Sequence, residues 1–130
     1  MKKMMSPRRL TVKTDQSMSR AEEILTTQIL GGTLLLSEPG LKVFKLPDGT
    51  VMEFFGRGSF PPEHIFNSGN VVPGFVVNDL MRTISELQTS GATLLNEVEW
   101  ILPGQGYCHM AISKCLTIGL FQSEKSPLRD

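Results

Sequence analysis

Cysteine is nearly missing from the chain, and the two that occur, Cys108 and Cys115, stand neither at a CxxC spacing nor among further cysteines. That excludes a disulfide scaffold and a cysteine metal cage, and leaves two buried, reduced thiols as the expectation. Long apolar runs are missing too: no stretch approaches the roughly 20 residues that a membrane-spanning helix needs. Neither sign of charge is in excess, because 13 Lys and Arg offset 13 Asp and Glu. A neutral chain offers no electrostatic footprint for nucleic acid, so a small molecule or a protein surface is the expected partner. The opening Met1-Lys2-Lys3-Met4-Met5-Ser6-Pro7-Arg8-Arg9 is basic but leads into no apolar h-region. It reads as a loose tail on a cytoplasmic protein, not as a secretory signal. Histidine is scarce, and His64 and His109 are the only two available for imidazole chemistry.

What the chain does have is an internal repeat. Gly31-Gly32-Thr33-Leu34-Leu35 recurs as Gly91-Ala92-Thr93-Leu94-Leu95, Leu10-Thr11-Val12-Lys13-Thr14-Asp15 as Gly74-Phe75-Val76-Val77-Asn78-Asp79, and Val51-Met52-Glu53-Phe54-Phe55 as Thr117-Ile118-Gly119-Leu120-Phe121. With 130 residues, 40% of them hydrophobic, the chain suits one domain built from two modules. Units of about 60 residues are marginal alone and need shared buried surface. The expectation is an α+β fold of two tandem βαβββ modules, residues 9–56 and 71–122, joined by linker 57–70, with 1–8 and 123–130 as loose tails.

Local signals place the elements. Leu10 to Thr14 alternates as a strand does, Ser19-Arg20-Ala21-Glu22 matches a capping box, and Ala21, Ile24, Leu25 and Ile29 form a helical stripe expected to pack on a sheet before Gly31-Gly32. Thr33–Ser37, Leu41–Leu46 and Thr50–Phe55 read as strands, with the turn Pro47-Asp48-Gly49 between the last two. After a linker rich in Gly, Pro, Ser and Asn the order restarts. Phe75–Val77 is a strand, Asp79 a candidate N-cap, Leu80, Ile84 and Leu87 a helical stripe, and Thr93–Asn96, Trp100–Leu102, Tyr107–Ile112 and Leu116–Phe121 further strands.

Leu46-Pro47-Asp48-Gly49-Thr50-Val51-Met52-Glu53-Phe54-Phe55-Gly56, together with Val76-Val77-Asn78-Asp79-Leu80, Leu87 and Gly91-Ala92, resembles the strand and turn passages of the vicinal oxygen chelate superfamily. That group contains glyoxalase, bleomycin-resistance proteins and extradiol dioxygenases, and the resemblance spans about residues 9 to 122. It implies curved mixed sheets forming a concave cleft, helices on the outer faces, and a homodimer. Enzymes of the group hold a divalent metal in the cleft through the first and last strands of each module. Here the last-strand positions fall on Glu53 and Gly119, and the first-strand positions on Arg8 or Arg9 and on Val72 or Pro73. A guanidinium only donates, and glycine or an aliphatic side chain gives a metal nothing. The expectation is therefore no metal or other cofactor, and a metal-free relative that binds a small organic molecule in the cleft. The alternative is a lyase, isomerase or dioxygenase using Glu53 as base or metal ligand.

The expected ligand-contacting residues are Glu53, Phe55, Trp100, Tyr107 and His109, and Glu53 is also the candidate catalytic group. Glu53 has a second reading, as a cross-strand partner of Lys42. Tyr107 and His109 share one sheet face and Cys108 and Met110 the other, which also separates a Cys108–His109 dyad; alternation alone leaves open which face meets the cleft. Phe60 and Phe66 are expected to dock the linker on the sheet, and Arg8 and Arg9 to belong to a solvated tail.

Overall fold

The computed structural model describes residues 8–62 and 64–123; of the expected tails 1–8 and 123–130, all but residues 8 and 123 lie outside the described residues. Strand β1 (Arg9–Lys13) sends Leu10 and Val12 to one face and Arg9 and Thr11 to the other. Ser19 then starts a helix with a complete capping box. Its hydroxyl accepts from the Glu22 N–H at 3.1 Å, and the Glu22 carboxylate accepts from the Ser19 N–H at 2.7 Å. Helix α1 (Arg20–Glu23) continues as a π-helical segment, Ile24–Ile29, in which Leu30 N–H reaches the Leu25 carbonyl at 2.8 Å. This wider winding corrects the expected stripe. Thr26 turns inward and is fully buried, whereas Leu25 and Ile29 are 43% and 69% exposed.

Strands β2 (Thr33–Glu38), β3 (Leu41–Lys45) and β4 (Val51–Phe55) form an antiparallel meander. Its second turn is held by the Asp48 carboxylate, which accepts from Thr50 N–H at 2.9 Å. After the linker come β5 (Val71–Val77), α2 (Leu80–Thr89) capped by Asp79, β6 (Thr93–Leu94), β7 (Glu99–Leu102), β8 (Gln105–Ser113) and β9 (Leu116–Gln122). Strand β5 begins earlier than expected and contains Pro73, which is tolerated because β9 pairs with β5 only from Gly74 onward.

The described strands make one open mixed sheet in the order β2-β3-β4-β1-β5-β9-β8-β6, with β7 also paired to β8. Strand β1 lies parallel to β4, β5 lies parallel to β9, and β1 meets β5 antiparallel at the centre. Two apolar clusters sit on the helix side. Phe44, Met52 and Phe54 anchor the first, and Leu80, Ile84, Cys108, Met110 and Leu120 the second. Their burial leaves the alternate residues of the same strands on the opposite, open face. Among the described residues, no helix is long and apolar enough to cross a membrane.

Candidate functional site

Glu53 stands between two core residues, Met52 and Phe54, so strand alternation turns its carboxylate to the open face. Its cross-strand neighbours are Val43 on β3 and Thr11 on β1. The expected pairing with Lys42 is thus corrected by one residue: Lys42 lies opposite Phe54, and its ammonium is 4.0 Å from Glu23. The partners of Glu53 come from β1. Thr11 Oγ1 donates to Oε1 at 2.8 Å, and Arg9 Nη1 donates to Oε2. Arg9 is therefore no tail residue. It is a member of β1, with its side chain 31% exposed and its guanidinium carbon 4.7 Å from the centre of the Phe121 ring. Arg8, which is exposed, donates to the Asp48 carbonyl at 3.3 Å.

On β8, Cys108 and Met110 enter the core, which puts Tyr107 and His109 on the open face. Tyr107 packs against Phe121 at 5.7 Å and against the His109 ring at 6.3 Å. Two glycines make this arrangement possible. A Cβ on Gly119 would stand 3.3 Å from His109 Cδ2, and one on Gly74 would stand 2.9 Å from Phe121 Cε2 and 3.1 Å from Arg9 Cβ. The imidazole and the phenyl ring therefore lie close over bare backbone. Burial, and secondarily the charge of Arg9, push the His109 pKa down to about 4, so the ring is neutral at neutral pH. Burial pushes the Cys108 thiol up to about 11, which keeps it protonated and unreactive. Cys115 is exposed, correcting the expectation that both thiols are buried.

Tyr107 and His109 line a cavity of about 350 Å³ together with Leu95, Glu97, Glu99 and Phe60. Glu99 lies directly opposite Tyr107 across β7 and β8. The linker docks through Ile65, which is 1% exposed, and through Phe66, whose ring meets that of Phe55 edge-on at 6.3 Å. Phe60 does not dock: it is 94% exposed at the cavity wall. Of the residues singled out in the sequence, Tyr107 and His109 share this cavity; Glu53 lies outside its lining, and a chain of contacts through Arg9 and Phe121 links it to Tyr107. Phe55 lines a different cavity with Phe60 and Leu41. Trp100 lies over Gly106, on the Cys108 side of β8 and away from Tyr107. Sequence reasoning passed over Phe121 and Glu99, although Phe121 follows Gly119 by two residues and so shares its face.

Where the resemblance expects metal ligands, this chain has Arg8 or Arg9, Glu53, Gly119, and Val72 or Pro73. One of these side chains has lone pairs to give, and among the described residues no three His, Cys, Asp or Glu side chains gather as a possible metal group. This donor set does not fit a divalent cation.

No family model matches the chain, and no curated protein does. Solved structures do match. A hypothetical protein of Bacillus halodurans superposes with a TM-score of 0.60 at 15% identity, covering 98% of this chain and 100% of its own. Methylmalonyl-CoA epimerase from Mycobacterium tuberculosis gives 0.61 at 15% identity, covering 93% of this chain and 88% of its own. A glyoxalase/bleomycin resistance protein/dioxygenase superfamily member from Vibrio splendidus gives 0.57 at 14% identity, covering 92% and 100%. At such identities the likeness is one of fold: this chain shares the fold of a methylmalonyl-CoA epimerase and of a glyoxalase/bleomycin resistance protein/dioxygenase superfamily member.

Proposed function

We propose that this protein binds a small organic molecule, without a metal, in a cleft between two tandem βαβββ modules. The observation that carries this reading is the closed Arg9–Glu53 ion pair, which ties up the one acid expected among the metal-ligand positions and connects through Phe121 to Tyr107 at the cavity. The parallel pairing of β1 with β4 and of β5 with β9 supports the modular description. Binding is favoured over proton abstraction because both oxygens of Glu53 are already engaged, one by Arg9 and one by Thr11. The cavity at Tyr107 and His109, about 350 Å³ with Phe60 and Leu95 as apolar walls and Asn96, Glu97 and Glu99 as polar ones, has the size of a small-molecule site.

The same reading has the chain cytoplasmic and homodimeric. All six residues of β2 are exposed, and this edge strand carries Leu34, Leu35 and Leu36 with an unpaired backbone ladder. Antiparallel pairing of β2 with a second copy about Leu35 and Leu36 sets Glu38 against Thr33, whose neighbour on β3 is Lys45. Glu38 and Lys45 of opposite copies then lie two strand spacings apart, about 10 Å, at both ends of the shared ladder, a weak and salt-screened attraction.

A thermal-shift panel of planar metabolites and drugs tests the binding function. Hits are expected to raise the melting temperature of the wild type and to lose that effect in Tyr107→Ala. A panel without hits, or hits indifferent to Tyr107→Ala, would remove the site. Elemental analysis tests the metal-free part, which fails if stoichiometric zinc, nickel, iron or manganese is found and is lost in Glu53→Gln.

A further inference from the structure

One row of residues crosses the centre of the open face in register: Arg9 on β1, Gly74 on β5, Gly119 on β9 and His109 on β8. The two middle positions have no side chain. Phe121 lies over Gly74 and the His109 ring over Gly119, so aromatic surface runs from the Arg9 guanidinium across Phe121 and Tyr107 to His109. The rings come this close to the backbone because the residues beneath them are glycine, and they form a stepped surface, with Tyr107 tilted 48° to Phe121 and 54° to His109.

The polar groups along that surface are mostly donors. Glu53 is the acceptor nearest to Arg9, and its oxygens are taken by Arg9 and Thr11. Among the described residues, no acceptor meets the remaining guanidinium N–H groups of Arg9, the Tyr107 hydroxyl or the His109 ring. Donors gathered at a partly buried site call for a ligand that brings acceptor oxygens. The glutamates of the neighbouring cavity, Glu97 and Glu99, are exposed at its wall. They repel an anion there and so orient it toward the Arg9 end.

We infer that this surface binds an aromatic organic acid, its ring packed against Tyr107 and His109 and its carboxylate held by the remaining N–H groups of the Arg9 guanidinium. The inference rests on the cleft-binding reading and names the ligand class for that site. Arg9 then supplies a permanent positive charge at the Phe121 end of this surface, and Glu53 holds it in place and moderates its strength. Because the imidazole is neutral at neutral pH, it packs against the ring without competing for the carboxylate.

Three probes of one shape separate the possibilities: 2-naphthoate, the uncharged 2-naphthamide, and the cationic 2-naphthylmethylamine, titrated by calorimetry at low and high salt. The wild type is expected to bind the acid at least about tenfold tighter than the amide, with the preference shrinking as salt rises. Glu53→Gln is expected to tighten acid binding, because the guanidinium is then unshared. The double variant Arg9→Gln/Glu53→Gln removes both charges together, leaves no lone buried carboxylate, and is expected to bind acid and amide alike. Binding of the amide or the amine as tightly as the acid overturns the role of Arg9 while the cleft stands. An acid preference surviving in the folded double variant does the same. If none of the three probes binds and the wider panel gives no hit, the cleft itself falls. Should the double variant not fold, the wild-type ranking and its salt dependence still decide.

Discussion

The neutral state of His109 has a thermodynamic consequence. Its pKa is pushed down from 6.5 to about 4 by burial and by the Arg9 charge. Above pH 6.5 the imidazole is neutral in the folded and the unfolded chain alike and adds no pH dependence. Between 6.5 and about 4 the unfolded chain takes up the proton and the folded chain does not, so acidification favours unfolding, by at most about 1.4 kcal/mol per pH unit. His109→Gln is therefore expected to lose less stability than the wild type between pH 6.5 and 4.5, measured by urea denaturation; equal losses would show that the imidazole is not held neutral. At this scale the sequence was partly legible. Alternation told that Tyr107 and His109 share a face, but the choice of face depended on which of their neighbours entered the core. The Arg9–Glu53 contact was not legible, because it joins residues 44 apart through a parallel pairing that no local pattern encodes.

Local chemistry governs the elements where the partner is close in sequence. Ser19 and Glu22 satisfy each other's backbone N–H groups, and Ser19→Ala is expected to cost about 0.5–2 kcal/mol in urea denaturation with little change in the folded far-UV spectrum. The capping box could be read because it spans four residues. The π-turn that follows could not, since Ala21, Ile24, Leu25 and Ile29 fit an ordinary helical stripe and only the packing of Thr26 reveals the wider winding. Strand β2 poses the opposite problem: its leucines look like core in the sequence and are exposed at a sheet edge. If that edge pairs with a second copy, Leu35→Lys will shift the sedimentation profile from dimer to monomer while leaving the melting profile of the monomer nearly unchanged. A wild type that sediments as a monomer at all concentrations would refute the pairing.

The whole molecule divides its burial between two clusters, and the β1–β5 ladder is what joins them. Phe44, Met52 and Phe54 belong to the first half, Leu80, Ile84, Cys108, Met110 and Leu120 to the second. Neither cluster is large, and modules of about 60 residues seldom stand alone. Each half also shares its first strand with the other, since β1 has β4 on one side and β5 on the other. Unfolding should therefore be a single transition. Trp100, the one tryptophan in the chain, reports on β7 and the second half, whereas Phe54 lies in the first-half core and is 4% exposed. Phe54→Ala is expected to destabilise the protein by about 3–5 kcal/mol. Coupling through the ladder requires this distant loss to lower the urea midpoint seen by Trp100 fluorescence as much as the midpoint seen by far-UV circular dichroism. If the Trp100 transition stays at its wild-type position while part of the circular dichroism signal melts early, the halves unfold separately and the central ladder does not bind them into one unit.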